Sequence, residues 1–305
     1  LFEQLMSQSR KMQYQMLTKK GALGRLPFIG VDKLDWEQSR IVFQGTDGAY
    51  SQAAMHAYFG KNVNSFHVQT FRDAMEAIEE GSADFAVLPI ENSSAGVVSE
   101  TYDLLVEFEN YIVGEIVLPI EHALAGVEGT TLETIQRVYS HPQALMQSAK
   151  YLDEQRGWQQ IGVANTAVAA KKILNENDVT QAAICSEHAA EIYGLKILDR
   201  KINYNDNNST RFIIVTNQKI FLKDAKKISI CFEVDHSSGS LYHLLAHFTY
   251  NNLNMTKIES RPVEGRTWEY RFFVDFDGNM GEGAVKNAIR GLREESRTLK
   301  ILGNY

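Results

Sequence analysis

The stretch RIVFQGTDGAYSQAAMHAYFG, residues 40–60, sets a short apolar run against a helix-like run with two glycines between them. Ile41, Val42 and Phe43 form a continuous apolar segment of strand length, Gly45 and Gly48 permit a tight turn, and the run from Ser51 is free of glycine and proline until Gly60. The same unit recurs downstream. SFHVQ precedes FRDAMEAIEEG, ADFAVLPI precedes VSETYDLLVEF, VYS precedes HPQALMQSAKYL, IGVAN precedes TAVAAKKIL, and AAICS precedes EHAAEIYG. Such alternation predicts an α/β domain with a mainly parallel sheet. YIVGEIVLPIEHAL opens a second set and NNSTRFIIV, residues 207–215, closes it, so two lobes are expected, one over about 40–115 with 200–218 and one over about 116–199. Ligands of open α/β sheets lie beyond the carboxyl ends of strands and against helix N-termini, which places the strand-to-helix junctions on the cleft.

The chain has 305 residues, 44% of them hydrophobic and 23% charged, enough for two or three domains with cores of their own. A net charge of −7 without a basic block disfavours nucleic acid as a partner. YIVGEIVLPI is broken by Gly114 and Glu115 and falls short of the ~18 apolar residues of a membrane span. The opening LFEQLM lacks the pattern of a secretory signal, so a cytoplasmic location is expected. Cys185 and Cys231 sit alone in separate apolar segments, which predicts reduced, buried thiols and neither a disulfide nor a metal site. No cofactor is expected, and a small molecule is the expected partner. Residues 1–18 have the spacing of an amphipathic helix, and the glycines and proline of 19–36 read as a linker. After residue 226 the order KISICFEV, GSLYHLLAHFTY, LNMTKIESRP, TWEYRFFVDF, GAVKNAIRGLREES, TLKILG predicts a separate ferredoxin-like βαββαβ domain over 226–303.

Four junctions carry polar side chains. In FQGTDGAYS, Gly45 and Gly48 let backbone approach an anion while Tyr50 and Ser51 offer hydroxyls, although a plain tight turn has the same composition. In PIENSSAGVV, Glu91, Asn92, Ser93 and Ser94 follow an apolar strand, and helix capping accounts for one of them rather than for four. SHPQAL places His141 before a helix with Pro142 in its first turn, as a structural anchor or a proton carrier. ANTAVAA puts Asn165 and Thr166 at another helix start. In NNSTRFIIV a threonine and an arginine stand at the entrance of the last strand, where folding alone requires neither.

Taken in order, FQGTDGAYS, VLPIENSSAG, SHPQAL, NTAVAA, ICSEHAAEIYGL and NNSTRF resemble the prephenate dehydratase family, and ESRP at 259–262 resembles the motif of that family's regulatory ACT domain. The resemblance implies a two-lobed, periplasmic-binding-protein-like dehydratase domain over 37–218 and a C-terminal ACT domain. It implies conversion of prephenate to phenylpyruvate without a cofactor, with Thr210 donating to the leaving hydroxyl, Arg211 holding a carboxylate and Phe212 packed behind them. Thr46, Tyr50, Asn92, Ser93 and Thr166 are the implied substrate-binding positions, with His141 or Glu91 as alternative proton sources. The ACT resemblance implies L-phenylalanine as effector at Gly239, Leu241, Glu259, Ser260, Arg261 and Pro262, between subunits of a homodimer or homotetramer. Tyr242 departs from the usual Gly-Ala-Leu-Val motif and raises the question of pocket size. LFEQLMSQSRKMQYQML resembles the last helix of a chorismate mutase domain, with Ser9 and Gln13 at substrate-contacting positions, so residues 1–36 are expected to be the remnant and linker of such a domain, without mutase activity. A non-enzymatic amino-acid sensor is the competing reading of two lobes around a cleft.

Overall fold

A computed structural model describes Met6, Ser9, Met12, Gln13, Met16 and residues 26–305 other than Arg156 and Asp206. The five described residues before Leu26 are helical and exposed; the remainder of the helix expected over 1–18 lies outside the described residues. The chain divides into two compact units. One comprises Trp36–Leu104 and Glu115–Val215; the other comprises Leu105–Gly114, Thr216–Tyr305 and the described residues up to Asp35.

The first unit contains two sheets. In one, Arg40–Gln44 pairs in parallel with Asn64–Val68 and with Phe85–Asn92. Strand Ser209–Thr216 runs antiparallel to Phe85–Asn92, with Thr210 opposite Asn92, Arg211 opposite Glu91 and a bulge between Arg211 and Phe212. The other sheet has the order Lys196–Asp199, Ala123–Gly126, Gln181–Cys185, Arg137–Ser140, Gln159–Gly162. Its last three strands pair in parallel, and Ala123–Gly126 runs antiparallel to both its neighbours, so Lys196–Asp199 points the same way as the last three. Each lobe thus has the mainly parallel sheet expected from the alternation, with one antiparallel strand in it. The strands that bring the chain across between lobes arrive from the far side and pair in the opposite sense, while the parallel strands are joined by the helical crossovers that parallel pairing requires.

The central parallel strands are buried on both faces, as Ile41, Val42 and Phe43 and the run Phe85–Leu88 show, which is why they read as unbroken apolar runs. Alanines dominate the core beneath helix Thr166–Glu176: Ala125, Ala167, Ala169, Ala170, Ala183, Ala189 and Ala190 pack together with Ala49 of the other lobe. Small side chains let the helices approach the sheet and let the 45–49 loop meet helix Glu187–Ile192. Gly48, at φ +85°, would place a Cβ 3.0 Å from Ala189, so this approach needs glycine on both conformational and steric grounds.

The second unit has the strand order Met255–Pro262, Tyr270–Asp277, Lys227–Glu233, Thr298–Asn304, antiparallel throughout, with helices Ser240–Tyr250 and Gly283–Glu295 in the connections. Chain order is βαββαβ. Ile228, Ile230, Phe232, Val274 and Phe276 from the strands close a core with Leu244, Phe248, Val285, Ile289 and Leu292 from the helices. Ile29–Val31, within the stretch read as a linker, is a short strand paired in parallel with Ile220–Leu222. Among the described residues no helix is long and apolar enough to cross a membrane.

Candidate active site

A cavity of about 270 Å³ opens in the first unit, lined from both lobes. Thr210 and Asn92 reach it from adjacent strands, Tyr50 and Ser51 from the start of helix Tyr50–Phe59, His141 and Gln147 from the two ends of helix Pro142–Gln147, and Asn165 and Thr166 from the start of helix Thr166–Glu176. Phe212, Ile120, Pro89 and Val98 supply apolar wall. Among the described residues that line it there is no aspartate, glutamate, lysine or arginine. Its positive potential comes from helix starts, where first-turn amides lack carbonyl partners within the helix. Ala49, the N-cap of helix Tyr50–Phe59, offers no side-chain cap, whereas Asn165 accepts the Val168 N–H at 2.8 Å.

Asn92 organises the strand-end cluster. Its amide Nδ2 donates to Asn208 Oδ1 at 3.0 Å, Ser209 O at 3.1 Å and Thr210 Oγ1 at 2.9 Å. Its Oδ1 accepts the backbone N–H groups of Ser94 at 2.9 Å and Ala95 at 2.8 Å. The polar run after the strand is thus a hairpin, Gly96–Val97 folding back on Glu91–Asn92, and not the helix N-cap that competed with the ligand reading. Because the Thr210 oxygen accepts from Asn92, its own proton is left to point elsewhere, and the side chain, 9% exposed, lines the cavity.

Several expected site residues stand elsewhere. Arg211, assigned to a substrate carboxylate by resemblance, does not line the cavity; its guanidinium pairs with Glu91 and Glu115, each at 3.3 Å, and its side chain is only 13% exposed. Successive residues of a strand face opposite sides, so Thr210 and Arg211 do not share one pocket. Glu91, engaged by that arginine, is likewise absent from the lining. Ser93 knits the two loops together, its Oγ donating to Asn207 O at 3.1 Å and accepting from Ser209 N–H at 2.9 Å. Thr46 lies on the loop beside Tyr193, whose hydroxyl it hydrogen-bonds. His141 is the N-cap expected of a helix anchor, Nδ1 accepting the Gln143 N–H at 3.2 Å, and it also lines the cavity, with burial lowering its pKa.

The sequence reading missed His122 and Gln147. His122 is 2% exposed; one ring nitrogen lies 3.0 Å from the Tyr50 hydroxyl and the other 2.8 Å from Gln147 Oε1. A lone histidine before an apolar strand carries no spacing signal, and these partners are 72 and 25 residues away.

In the second unit a cavity of about 430 Å³ lies at the start of helix Ser240–Tyr250, lined by the loop Val234–Tyr242 and by Glu269, Tyr270 and Phe272. Gly239, at φ +83°, is the helix N-cap. Leu241 lines the cavity, and Tyr242 stands at its edge, 73% exposed, so the added ring leaves the space open. Glu259, Ser260, Arg261 and Pro262 do not line it: they form the end of the edge strand, opposite Phe273, Phe272, Arg271 and Tyr270.

The fold and the cleft define a two-lobed α/β class of protein with helix starts and neutral polar side chains gathered at one cavity. Residues 41–220 match the family model described as prephenate dehydratase. The chain belongs to the prephenate dehydratase family. It is 38% identical over 277 residues to an arogenate dehydratase/prephenate dehydratase of Arabidopsis thaliana, covering 87% of this chain and 72% of that protein. It is 35% identical over 280 residues to the bifunctional chorismate mutase/prephenate dehydratase of Escherichia coli, covering 90% and 72%. Among solved structures, a prephenate dehydratase from Arthrobacter aurescens in complex with L-Phe matches with TM-score 0.81 and 29% identity, over 87% of this chain and 89% of that one. A protein described as a quorum-quenching acylase, GqqA, matches with TM-score 0.80 and 33% identity, over 87% and 97%.

Placement of Arg211 between two carboxylates yields a first prediction. Arg211→Met removes the cation that pairs with both Glu91 and Glu115, at a cost of about 2 kcal/mol, between the values for exposed and buried pairs. Thermal unfolding of the variant is expected at lower temperature, with kcat reduced through Thr210. A normal melting temperature with only KM raised would return the arginine to the substrate.

Proposed function

We propose that the chain removes water and carbon dioxide from prephenate to give phenylpyruvate, with Thr210 as the donor to the departing ring hydroxyl. The observation that carries this reading is the Thr210 hydroxyl, polarised by the Asn92 amide, facing a cavity whose described lining has no charged side chain. Aromatisation drives the reaction. The bond from the ring to its carboxylate breaks, its electrons enter the ring, and the carbon–oxygen bond to the hydroxyl breaks in turn. An arginine clamped on that carboxylate would hold the charge that must disappear as carbon dioxide forms, stabilising the ground state more than the transition state. Helix starts hold an anion more weakly, each contributing about 0.3 to 2 kcal/mol, and suit a group that must depart. Tyr50, Ser51 and Thr166 bind the substrate at these starts.

A threonine hydroxyl is too weak an acid to deliver a full proton at neutral pH, so Thr210 acts by hydrogen-bonding the charge that develops on oxygen. His141, whose Nδ1 accepts the Gln143 N–H, carries its one hydrogen on Nε2 and can donate a hydrogen bond from there, while the proton that completes the water comes from solvent. Lacking an aspartate or glutamate, the described lining offers no counter-charge to an ammonium group, which favours the keto acid prephenate over the amino acid arogenate. In the second unit the cavity at Gly239 and Leu241 takes L-phenylalanine as a feedback effector, its carboxylate at the helix start. A second copy of the chain supplies Glu259, Ser260, Arg261 and Pro262 in a homodimer or homotetramer.

Purified chain is expected to form phenylpyruvate from prephenate, with a kcat/KM well above that for arogenate. Thr210→Val should lower kcat on the order of 10² to 10³ while leaving KM within a few-fold; undiminished kcat in that variant moves the catalytic assignment elsewhere. Calorimetric titration with L-phenylalanine should show binding that Gly239→Val abolishes, together with inhibition of turnover. Absence of binding heat would reduce the second unit to a structural module.

A further inference from the structure

Three side chains in the cavity wall form a hydrogen-bonded chain, of which the dehydration scheme above uses only Tyr50. Tyr50 comes from a helix of one lobe and Gln147 from a helix of the other, and His122 sits between them on the segment that crosses from lobe to lobe. The backbone of His122 is fixed on both sides, its N–H donating to Asn203 Oδ1 at 3.0 Å and its carbonyl accepting from Ile202 N–H at 2.9 Å. Its ring therefore has little freedom to leave its two partners.

Counting protons decides how the chain is wired. The Tyr50 hydroxyl lies 2.6 Å from the Glu121 carbonyl oxygen, which only accepts, so the single phenolic proton goes there. The Tyr50 oxygen then faces His122 Nδ1 at 3.0 Å as an acceptor, and Nδ1 must carry the hydrogen. A neutral imidazole has one N–H, which leaves Nε2 as a bare lone pair 2.8 Å from the Gln147 side-chain amide. That lone pair needs a donor, so the Gln147 amide turns its NH₂ to the ring, and its oxygen takes the other place on the cavity wall. Amide oxygen and nitrogen are told apart only by such networks.

We propose that His122 is a positioning residue for the dehydratase reaction, a neutral imidazole protonated on Nδ1 that locks the Tyr50 hydroxyl and turns the Gln147 amide oxygen toward the substrate. This inference rests on the dehydratase reading of the cavity. An acceptor there suits the substrate, because the ring hydroxyl is the one hydrogen-bond donor of the prephenate dianion. Holding that hydroxyl by its own hydrogen leaves its oxygen lone pairs for the donor Thr210. Burial lowers the pKa of His122 and, for the phenol, pushes that of Tyr50 well above its ordinary value, so both are neutral near pH 7. The titratable groups around the chain leave this state in place. Glu121 is paired with Lys201 at 2.9 Å, the buried Cys185 thiol is pushed up to about 12, and His141 across the cavity is itself held below its ordinary value by burial.

Proton uptake by His122 puts a hydrogen on Nε2, and the Gln147 amide must then turn back and withdraw its oxygen from the substrate. Since the folded-state pKa lies below the ordinary 6.5, kcat is full above that value and falls as pH drops below it. Nitrogen-15 NMR of the imidazoles in the unliganded full chain, with His122→Asn assigning the signal by its loss, tests the wiring without reference to activity. The expected result is an Nδ1–H tautomer that titrates below 6.5; an Nε2–H tautomer, or titration at or above the ordinary value, overturns the proposal. In kinetics, His122→Phe should lower kcat about 10- to 100-fold with KM changed little, as for loss of a positioned contact. His122→Asn, whose amide can still donate to Tyr50, should recover part of kcat and abolish the acid limb. An acid limb that persists unchanged in His122→Asn assigns it to His141 and contradicts the proposed role. Failure of the wild-type chain to turn over prephenate sinks the dehydratase reading, and the tautomer measurement still decides the wiring of His122.

Discussion

One amide holds the end of the sheet in a reactive form. The Asn92 side chain donates toward Asn208, Ser209 and Thr210 and accepts from Ser94 and Ala95, so a single group closes the hairpin, joins two strands and sets the direction of the Thr210 hydroxyl. Its two hydrogens serve three acceptors, and its oxygen takes two donors, which saturates the amide. An aspartate of the same size would keep the turn and lose every donation. The antiparallel pairing of Thr210 with Asn92 brings the groups into register, and strand alternation sets Phe212 on the cavity side with Thr210 while Arg211 stays on the opposite side.

The absence of charge from the described cavity lining is the second constraint, and it links fold to chemistry. Two α/β lobes present helix starts to the space between them, so the architecture supplies positive potential without cationic side chains. Charged groups near the site are neutralised outside the lining: Arg211 by Glu91 and Glu115, and Glu121 by Lys201. A substrate that loses a carboxylate as neutral gas is better served by dipoles than by an ion pair that would have to be broken.

Much of this was legible in the sequence because it is local. Strand-to-helix alternation marks the lobes, βαββαβ order marks the second unit, and Asn92, Thr166 and Thr210 stand at element ends where polar side chains face a cleft. The position of Arg211 has a local cause as well: neighbours on a strand alternate sides, so it faces away from the side of Thr210 and meets Glu91 and Glu115 there. Ser93 and Thr46 have the right chemistry at the right loops but are spent on loop-to-loop hydrogen bonds, a choice made by partners more than 100 residues away. His122 was invisible for the same reason, since its meaning lies in Tyr50 and Gln147. Glu259–Pro262 resembles a motif, yet the motif says nothing about which face of an edge strand meets the ligand or which copy supplies it.

The coupling between Asn92 and Thr210 is the claim on which the mechanism stands, and a double-mutant cycle on kcat measures it. If the amide acts by directing the threonine hydroxyl, removing either partner already removes the shared function, and Asn92→Ala combined with Thr210→Val should be no slower than the worse single variant by more than a few-fold. Losses that multiply across the cycle would show the two side chains acting independently and would contradict the account.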